Sequence, residues 1–428
     1  MSIFLLKGLY RRMGTATSDV SFSIRRKHTP TIALLGVTGL SEFGNVLASL
    51  AIPWFVLQTS GSPLKTGITG ATMILAFVIA GIFSGPLLDR LGFRRSSIAS
   101  DISSGITVAM IPLLYLTIGL PLWLLLILVF VGALLDAPGR TARLSMLPEL
   151  ARDAQTPIER LNSAYQAILR LSQLIGPPLG GVLIAILGAS NVMWLNAATF
   201  IVSALVIAIA VPARREAREE KESGEGYINQ LWIGLAFIRH NKLILSVFLL
   251  YTTSEFLDAP FVTIALPVYA DTVFGSAISL GLMVGGLGGG ALIGSIIYGF
   301  IGHRLPRWRT CVVALVAAWL PFWVLAYTSS FGIVMVILFV MGLAAGPLNA
   351  LLYTVVHEHT PPEVRGRVFG VFFALALAMV PLGMVLSGYF LEILGLRLTL
   401  VAIAVGYLAI ILSLIVIPSF RRMDSSRQ

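Results

Sequence analysis

Residues 85–95 read GPLLDRLGFRR, and residues 299–309 read GFIGHRLPRWR, a degenerate copy of the same pattern. The two stretches begin 214 positions apart, which is half of the 428-residue chain. Two further pairs keep almost the same spacing, with SEF at 41–43 and 254–256 and PE at 148–149 and 362–363. Several matches at one spacing indicate a chain built from two similar halves.

The composition is that of a membrane protein. Hydrophobic residues make up 57% of the chain and charged residues 12%, against about 45–50% and about 25% in ordinary soluble domains. Runs of roughly 20 apolar residues, long enough to cross a hydrocarbon core of about 30 Å, occur twelve times. Lipid cannot hydrogen-bond a bare backbone and no alternating strand pattern is present, so these runs are predicted to be helices. They cover residues 32–58, 66–88, 97–119, 121–143, 163–188, 191–211, 243–272, 278–302, 310–328, 331–355, 365–392 and 396–418.

Basic residues are distributed unequally between the two sides of these spans. Of the 30 Lys and Arg residues, Lys65 and Arg397 fall on one side and Arg170 lies inside a span, which leaves 27 on the other side. This positive-inside pattern predicts a multi-pass protein of the inner (cytoplasmic) membrane with both termini in the cytoplasm. The net charge of +10 is therefore assigned to topology and to contact with anionic membrane lipids. Nucleic acid is not predicted as a partner, because no reading module accompanies the basic residues.

The same pattern divides the chain into five parts. Residues 1–31 form a basic cytoplasmic tail without a signal-peptide core, 32–211 and 243–418 form the N-terminal and C-terminal six-helix bundles, 212–242 form a cytoplasmic linker, and 419–428 form a second tail. Residues 32–211 are called the N half here, and residues 243–418 are called the C half. Within the linker, charged residues crowd positions 212–226, and residues 227–241 place apolar side chains at helical spacing. The second stretch predicts an amphipathic helix on the inner membrane surface.

Twelve helices in two halves, a charged linker and G-x-x-x-D-R-x-G-x-R-R after the second helix resemble the major facilitator superfamily of secondary transporters. The resemblance covers residues 32–418. It implies an all-α membrane fold of two pseudo-symmetric six-helix bundles, which rock about a central substrate site. It also implies a monomer that works without a cofactor. Leu88 and Phe93 depart from the usual family form, which has a small residue and an arginine there.

In this superfamily the loop after the second helix acts as a conformational latch. The residues that carry the resemblance are Gly85, Asp89, Arg90, Gly92, Arg94 and Arg95, with Glu363 and Arg365 at the start of the eleventh helix as their partners when the transporter faces outward. Gly92 permits a tight turn, and Gly85 permits close approach of a neighbouring helix. In the second copy His303 replaces the aspartate, so the equivalent latch is expected to be weaker. The alternative is that these charges only set the topology.

The fifth span contains GPPLGG at 176–181, and the eighth contains seven glycines between 281 and 294. Glycine and proline inside a membrane helix are tolerated where neighbours pack closely, so these two spans are expected to meet. The helix-packing residues Gly176, Pro177, Gly180 and Gly181 are similar to the motif of proton-driven exporters in the superfamily, where helices five and eight meet across the halves. The resemblance therefore favours export over import.

Acidic side chains inside the spans are the next candidates for function. Glu42, Asp136, Glu255 and Asp258 are predicted to lie at membrane depth. A central charge costs about 2.5–3.5 kcal/mol on insertion scales, so these groups must be protonated, paired or hydrated. A water-filled cavity between the halves satisfies these requirements. The superfamily lines its central cavity with helices one, four, seven and ten, and the four acids fall on helices one, four and seven.

The candidate site for protons and substrate comprises Glu42, Asn45, Asp136, Arg140, Glu255, Asp258, Asn349 and Tyr353. Glu42 and the Glu255/Asp258 pair are expected to carry protons or to attract a cationic substrate. Asp136 and Arg140 are expected to form a charge pair one helical turn apart. The alternative is that Glu42 and Glu255 bridge helices without titrating.

Two polar residues of the fifth span, Arg170 and Gln173, could reach these acids or extend to the inner interface. The fourth span also departs from the usual motif of proton-coupled members, which has glycine four residues after the arginine. Here Leu144 follows Arg140 at that position.

The stretch 133–150, ALLDAPGRTARLSMLPEL, resembles the branch of the superfamily that contains enterobactin and macrolide exporters. The resemblance implies a secondary active transporter that exports amphipathic organic small molecules, such as drugs or siderophores, in exchange for protons. A proton-coupled uptake symporter and a lysolipid flippase are alternatives on the same fold. Neither an enzyme nor a metal site is predicted, because the histidines of His357-Glu358-His359 do not share a helix face, and this cluster is assigned to a solvated loop.

Overall fold

The computed structural model describes residues 2–213 and 227–427, which form helices and no strands. The helices are α1 (Ser2–Ser60), α2 (Pro63–Leu91), α3 (Phe93–Thr117), α4 (Leu122–Asp153), α5 (Ile158–Leu187), α6 (Ala189–Ala210), α7 (Tyr227–His240), α8 (Lys242–Pro260), α9 (Leu266–Tyr269), α10 (Ala277–Ile301), α11 (Arg307–Trp319), α12 (Pro321–Leu325), α13 (Phe331–Glu358) and α14 (Pro362–Val416). The all-α class predicted from the sequence is confirmed. The most charged part of the predicted linker, residues 214–226, lies outside the described residues.

Eleven helical segments of the described residues are long and apolar enough to cross a membrane. One of them, Lys242–Phe274, joins α8 and α9 with two π-helical turns. Helix α14 has 55 residues, about 82 Å at a rise of about 1.5 Å per residue, which exceeds twice the hydrocarbon thickness. Gly395 interrupts it with φ 77° and ψ 175°, a backbone conformation that glycine adopts without steric cost. The stretches on either side of Gly395 are each of membrane length.

Helix α4 extends beyond its predicted end. The predicted spans 121–143 and 163–188 leave a loop between them, but the helix continues to Asp153 and only residues 154–157 connect it to α5. Arg143 therefore lies inside the helix, where it is buried. The loop prediction is wrong because the end of an apolar run marks the edge of the hydrocarbon region, whereas helical hydrogen bonding continues into the head-group region.

The connections between helices alternate between two ends of the molecule. One end, called the basic end here, contains residues 92, 154–157, 211–213, 241, 302–306 and 359–361. The other, called the opposite end, contains residues 61–62, 118–121, 188, 275–276, 326–330 and 395. The clustered Lys and Arg residues of the sequence flank the connections of the basic end.

Small residues bring the two halves together near the opposite end. A Cβ atom added to Gly67 of α2 would lie 2.5 Å from the carbonyl oxygen of Met384 in α14. A Cβ atom added to Gly181 of α5 would lie 2.5 Å from the carbonyl oxygen of Ala277 in α10. Such close backbone approach is typical of membrane helix pairs with glycine at the contact. The predicted meeting of the fifth and eighth spans is present in this contact.

Polar groups also join the halves at the opposite end. Gln58 Nε2 donates a hydrogen bond of 2.5 Å to Asp271 Oδ1. The Ser62 hydroxyl and the Leu64 backbone N–H both donate to Glu392 Oε2, the second over 3.1 Å. Ser62 is the N-cap residue of α2, so Glu392 brings a negative charge to a helix N-terminus, where it is favoured by about 0.3–1 kcal/mol. These contacts close the molecule at this end.

Helix α7 corresponds to the amphipathic helix predicted over 227–241. It packs against the first turns of α14, where a Cβ atom added to Gly234 would lie 2.5 Å from the carbonyl oxygen of Arg367. Ile238 on this face is buried, whereas Trp232 is exposed. The helix therefore lies at the basic end with its apolar face against the C half.

Candidate functional site

A cavity of about 510 Å³ lies between the two halves. Helices α1 and α5 form its wall on the N half, and α8, α10, α11, α12, α13 and α14 contribute the rest. The lining residues are Val46, Ser49, Leu50, Gln173, Pro177, Asp258, Phe261, Val262, Val284, Leu287, Gly288, Ala291, Ala318, Phe322, Met341, Gly342, Ala345 and Tyr407. A mostly apolar cavity of this volume can hold a small organic molecule. A second cavity of about 170 Å³ adjoins it through Ser49 and Val262 and extends between α1, α2 and α14.

Among the described residues that line the larger cavity, Asp258 is the one that carries a charge. Tyr407 of α14 donates its hydroxyl hydrogen to Asp258 Oδ1. The tyrosine ring is in turn stacked on Phe322, with the ring centroids 5.7 Å apart. Asp258 is nevertheless exposed to solvent. One carboxylate oxygen is therefore fixed by Tyr407, while the side chain remains accessible from the cavity.

The local sequence of α8 explains why Asp258 reaches this cavity. Pro260 follows it by two positions and has no backbone N–H, so it cannot complete the helical hydrogen bond of that turn. The chain then forms a π-helical turn over Phe261–Ala265 before α9 begins. π-helical turns occur mostly as single bulges, and they are frequent at functional sites. Asp258 thus lies immediately before a widened turn, and Phe261 and Val262 of that turn also line the cavity.

Helix α5 has two different exposed faces. The exposed polar residues are Ser163, Gln166, Arg170 and Gln173, spaced three and four apart. The exposed apolar residues are Leu171, Ile175, Leu179 and Val182, with the same kind of spacing on another side of the helix. An apolar exposed face suits lipid, whereas an exposed polar face at membrane depth requires water. Because Gln173 also lines the cavity, this exposed polar face runs from the cavity to the basic end, and the space beside it is called the vestibule here.

The predicted acids of the N half form one cluster. Arg140 Nε lies 3.0 Å from Asp136 Oδ2 and 3.3 Å from Glu42 Oε1. Asn45 Nδ2 donates to Asp136 Oδ2 over 3.3 Å. The Asp136/Arg140 pair expected from their spacing is therefore present, and Glu42 joins it from α1. One guanidinium group serves two carboxylates, and 35% of the Arg140 side chain remains exposed.

A second ion pair lies beside this cluster, and the sequence analysis missed it. Arg143 Nη1 lies 2.8 Å from Asp101 Oδ1 of α3, and Arg143 Nη2 donates to Ser41 Oγ of α1 over 3.3 Å. Both charged side chains are buried. The pattern did contain a signal, because Arg143 follows Asp136 by seven positions and Arg140 by three, which puts all three on one face of α4.

The two predicted acids of the C half have different partners. Glu255 lies three positions before Asp258 on α8, is half-buried, and lies next to the Tyr251 hydroxyl group. The Tyr251 and Tyr353 hydroxyl oxygens are 3.2 Å apart. Asn349 is exposed one turn before Tyr353 on α13. Asp258 thus belongs to the cavity wall, whereas Glu255 belongs to a group of tyrosines nearer the basic end.

The two polar residues of the fifth span contact each other. The Arg170 Nη1 atom donates to Gln173 Oε1 over 3.4 Å within α5.

The glycine-proline motif packs α5 against two neighbours. Gly176 and Gly180 face side chains of α1, while Gly181 faces the backbone of α10. A Cβ atom on Gly281 of α10 would meet the Pro177 carbonyl oxygen. The motif thereby carries Pro177 into the cavity wall. The glycines of α10 also have a second role, which the sequence analysis missed. Gly290 and Gly294 face the backbone of α13, which presents Gly342 and Gly346 in return.

The motif after α2 forms the tight turn that the sequence predicts. Gly92 alone separates α2 from α3, with φ 79° and ψ 154°. Gly85 precedes it within α2. Arg94 Nε donates to the Val211 carbonyl oxygen over 2.7 Å and Arg94 Nη2 to the Ala208 carbonyl oxygen over 2.5 Å. Arg94 therefore satisfies the C-terminal carbonyl groups of α6, where a cation is favoured.

The two segments of the predicted latch are separate in this conformation. Asp89, Arg90 and Arg95 are exposed at the basic end, as is Glu363 at the start of α14. Arg365 Nη2 donates to a backbone carbonyl oxygen of the connection before α14 over 3.3 Å. Within the described ranges 2–213 and 227–427, no ion pair joins Asp89 or Arg90 to Glu363 or Arg365. Asp89, Arg90, Arg95 and Glu363 are therefore accessible to solvent at the basic end.

In the second copy of the motif the contacts differ. Arg307 forms a bidentate pair with Glu358, with Nη1–Oε2 and Nη2–Oε1 distances of 2.5 Å each. The Arg307 backbone N–H donates to Asp424 Oδ1 over 2.6 Å. The assignment of Glu358 to a solvated loop is therefore wrong, because α13 includes this residue and its carboxylate compensates a buried arginine. The predicted C-terminal tail is docked on the C half through Asp424.

Comparison with known proteins identifies relatives over most of the chain. The family model described as Major Facilitator Superfamily matches residues 34–379 and 252–427. The chain is 31% identical over 402 residues to the Multidrug efflux pump Tap of Mycobacterium tuberculosis, covering 93% of this chain and 96% of that protein. It is 20% identical over 359 residues to the Macrolide efflux protein A of Streptococcus pyogenes, covering 83% and 88% of the two chains.

Solved structures share the fold. The nucleoside transporter NupG superposes with a TM-score of 0.75 and 12% identity, covering 90% of this chain and 98% of that one. A bacterial homolog of the human lysosomal transporter Spinster, inward-facing and unoccupied, superposes with a TM-score of 0.67 and 14% identity, covering 94% and 97%. At these identities the likeness concerns the arrangement of helices alone.

Proposed function

This chain belongs to the Major Facilitator Superfamily, and from that premise we propose that it exports amphipathic organic small molecules in exchange for protons. The names of two relatives, a multidrug efflux pump and a macrolide efflux protein, support efflux. Drugs such as macrolides are therefore the first substrate candidates, and siderophores are a second class. The cavity supports a substrate that is mostly apolar, since Asp258 is its one charged lining residue in the described structure.

The proposed topology has twelve spans, with α14 counted as two spans around Gly395. Residues 32–211 and 243–418 would form the two six-helix bundles. The positive-inside pattern supports a cytoplasmic position for the basic end, and therefore for both tails and for the linker 212–242. The protein would act as a monomer in the inner membrane, with its basic residues in contact with lipid head groups.

The conformation supports an inward-facing state. The halves are closed at the opposite end by Gln58–Asp271 and Ser62–Glu392, while the vestibule leads from the cavity to the basic end. A cytoplasmic substrate would enter through the vestibule and bind in the cavity. Export then requires the contacts at the opposite end to break and the latch residues Asp89 and Glu363 to approach each other.

The charge of the site supports exchange with protons. Arg140 has one positive charge, whereas Glu42 and Asp136 together have two negative charges when both are ionised. A proton on either carboxylate removes the excess negative charge. In the C half, a proton or a cationic substrate group can compensate Asp258 or Glu255. Because a charge at membrane depth needs such compensation, binding of a cationic substrate favours release of a proton, and binding of a proton favours release of the substrate.

One observation carries this proposal: an accessible carboxylate, Asp258, lies in an apolar cavity between two halves that are closed at one end. The test uses purified protein in proteoliposomes with an imposed pH gradient and erythromycin or ethidium as the transported probe. Movement of the probe opposite to the protons supports export. Movement with the protons favours the uptake symporter, and transfer of a fluorescent lysolipid between leaflets favours the flippase.

Coupling is tested with isosteric variants in the same vesicles. Glu42→Gln, Glu255→Gln and Asp258→Asn are expected to uncouple transport from the gradient while the protein stays folded. Glu159→Gln is the matched control, because Glu159 is exposed at the first turn of α5. Proton coupling that is unchanged in all three site variants would remove these residues from the mechanism.

A further inference from the structure

Two helix faces that line the cavity continue beyond it towards the basic end. On α8 the cavity residue Asp258 is followed in that direction by Glu255 and Tyr251, and on α13 the cavity residue Ala345 is followed by Asn349 and Tyr353. Spacings of three, four and seven or eight residues keep a side chain on the same face of a helix. These side chains therefore extend the cavity wall by one to two turns towards the basic end.

This wall is aromatic. Tyr353 and Phe373 meet edge to face with ring centroids 5.3 Å apart, and Tyr251 and Phe372 have centroids 5.1 Å apart. Phe369 is stacked on Phe373 at 6.0 Å. Tyr251 and Phe372 are buried, whereas Phe373 is 40% exposed. The rings of α8, α13 and α14 thus form a supported surface with an accessible rim. We call Glu255, Tyr251, Tyr353, Phe369, Phe372 and Phe373 the vestibule cluster.

The charge of the cluster differs from that of the N half. Glu42 shares Arg140, but in the described parts of the chain no Lys or Arg forms an ion pair with Glu255. The neighbour of this carboxylate is the neutral Tyr251 hydroxyl group. An uncompensated carboxylate beside exposed ring faces is suited to a cation with an aromatic body, because ring faces attract cations and also stack on other rings.

We propose that the vestibule cluster is an entry subsite, distinct from the Asp258 cavity, which binds aromatic organic monocations on their way from the cytoplasm. The direction of travel rests on the proposed export function. Glu255 neutralises the charge, and Phe373 and Tyr353 stack on the aromatic body. Three residues of helix, about 4.5 Å along the axis, separate Glu255 from Asp258, so a bound cation can pass from one carboxylate to the next.

Equilibrium binding to the full-length protein in detergent, without any pH gradient, tests the subsite. Ethidium is the probe, with tetrabutylammonium as a cation without rings and N-phenyl-1-naphthylamine as a neutral aromatic. Glu255→Gln is expected to weaken the binding of ethidium and tetrabutylammonium and to leave the binding of the neutral aromatic unchanged. Phe373→Leu is expected to weaken ethidium binding by about twofold to fivefold, the size of a partly exposed cation–π contact, while Phe373→Trp retains or strengthens that binding.

Two controls separate the subsite from general effects. Phe300→Leu is matched to Phe373→Leu, because Phe300 is a 76% exposed phenylalanine on α10 outside the cavity lining. Thermal unfolding midpoints identify variants that have lost their fold. The Phe373→Trp variant keeps the proposal testable even if Phe373→Leu does not fold.

The outcomes that overturn the proposal are distinct. Absence of ethidium binding to the wild-type protein refutes the ligand class, and unchanged ethidium affinity in both Glu255→Gln and Phe373→Leu refutes the subsite. Equal weakening of all three ligands by either variant also refutes it. The binding experiment applies no pH gradient, so its result does not depend on whether transport is coupled to protons. A protein that binds ethidium through Glu255 and Phe373 but ignores a pH gradient would contradict the export proposal alone.

Discussion

Arg143 and Asp101 form an ion pair with an Nη1–Oδ1 distance of 2.8 Å, and their side chains are 1% and 0% exposed. Two charges sealed in this way depend on each other, because the cost of removing a lone ion from water is several kcal/mol. The pair joins α4 to α3, and the bond from Arg143 to Ser41 adds α1. It therefore fixes the three helices around the neighbouring contact between Glu42 and Arg140.

Removal of one member of this pair is expected to destabilise the N half strongly. Arg143→Gln or Asp101→Asn should each lower the free energy of unfolding by about 3–5 kcal/mol, because the remaining charge stays buried without compensation. The double variant should lose less than the sum of the two. Chemical denaturation in detergent measures these differences, with the exposed Arg95→Gln as control. Additive losses would show that the two side chains do not compensate each other.

The hydroxyl group of Tyr407 is expected to matter for substrate affinity. Tyr407→Phe keeps the ring beside Phe322 but removes the donor to Asp258. Without this donor the carboxylate is no longer held in place before the cation binds, so the KM for a cationic substrate is expected to rise by up to about tenfold, which corresponds to the lower limit of about 1.5–3 kcal/mol for a hydrogen bond to a charged group. The transport assay in proteoliposomes measures KM and kcat separately. Tyr389→Phe, at an exposed position on α14, is the matched control and should leave both unchanged.

Sequence patterns predicted the features that depend on one helix at a time. Hydrocarbon thickness sets the length of each apolar run, so most spans were found within a few residues. The Asp136/Arg140 pair follows from a spacing of four on one helix, and the turn at Gly92 follows from the absence of a side chain. These features need no knowledge of how neighbouring helices are rotated.

Features that join different helices were not predictable in the same way. The contacts of Arg140 with Glu42 and of Arg143 with Asp101 depend on the rotation of α4 against α1 and α3, which spacing within one helix does not determine. The pairing of Arg307 with Glu358 was hidden for the same reason. The separate surroundings of Glu255 and Asp258 also depend on other helices, because Tyr353 comes from α13 and Tyr407 from α14. A cavity is a property of several rotated helices together.

Close packing of α5 and α10 is expected to favour the inward-facing state. A Cβ atom on Gly281 would meet the Pro177 carbonyl oxygen, and backbone atoms cannot move aside as a side chain can. Gly281→Ala should therefore separate the halves at the opposite end and increase the outward-facing population.

Distance measurements between spin labels test this shift. Labels at Ile118→Cys and Tyr327→Cys use two exposed positions at the opposite end, one in each half, and the buried Cys311 should not react. The distance distribution should gain a longer component in Gly281→Ala. Gly299→Ala is the matched control, because nothing lies within 4 Å of the added Cβ atom. The same lengthening in both variants would point to a general effect of alanine rather than to this contact.

Contacts at the basic end and at the opposite end are expected to shift the equilibrium between inward-facing and outward-facing states in opposite directions. Glu392→Gln weakens the bonds to Ser62 and Leu64 and removes the negative charge at the α2 N-terminus. A contribution of about 0.3–1 kcal/mol from that charge corresponds to about a twofold to fivefold rise in the outward-facing population. Asp89→Asn should lower this population, because it weakens the latch that the family resemblance assigns to the outward-facing state. Both variants are measured with the same pair of spin labels. Shifts of the same sign would contradict this balance, since each end would then be holding the same conformation.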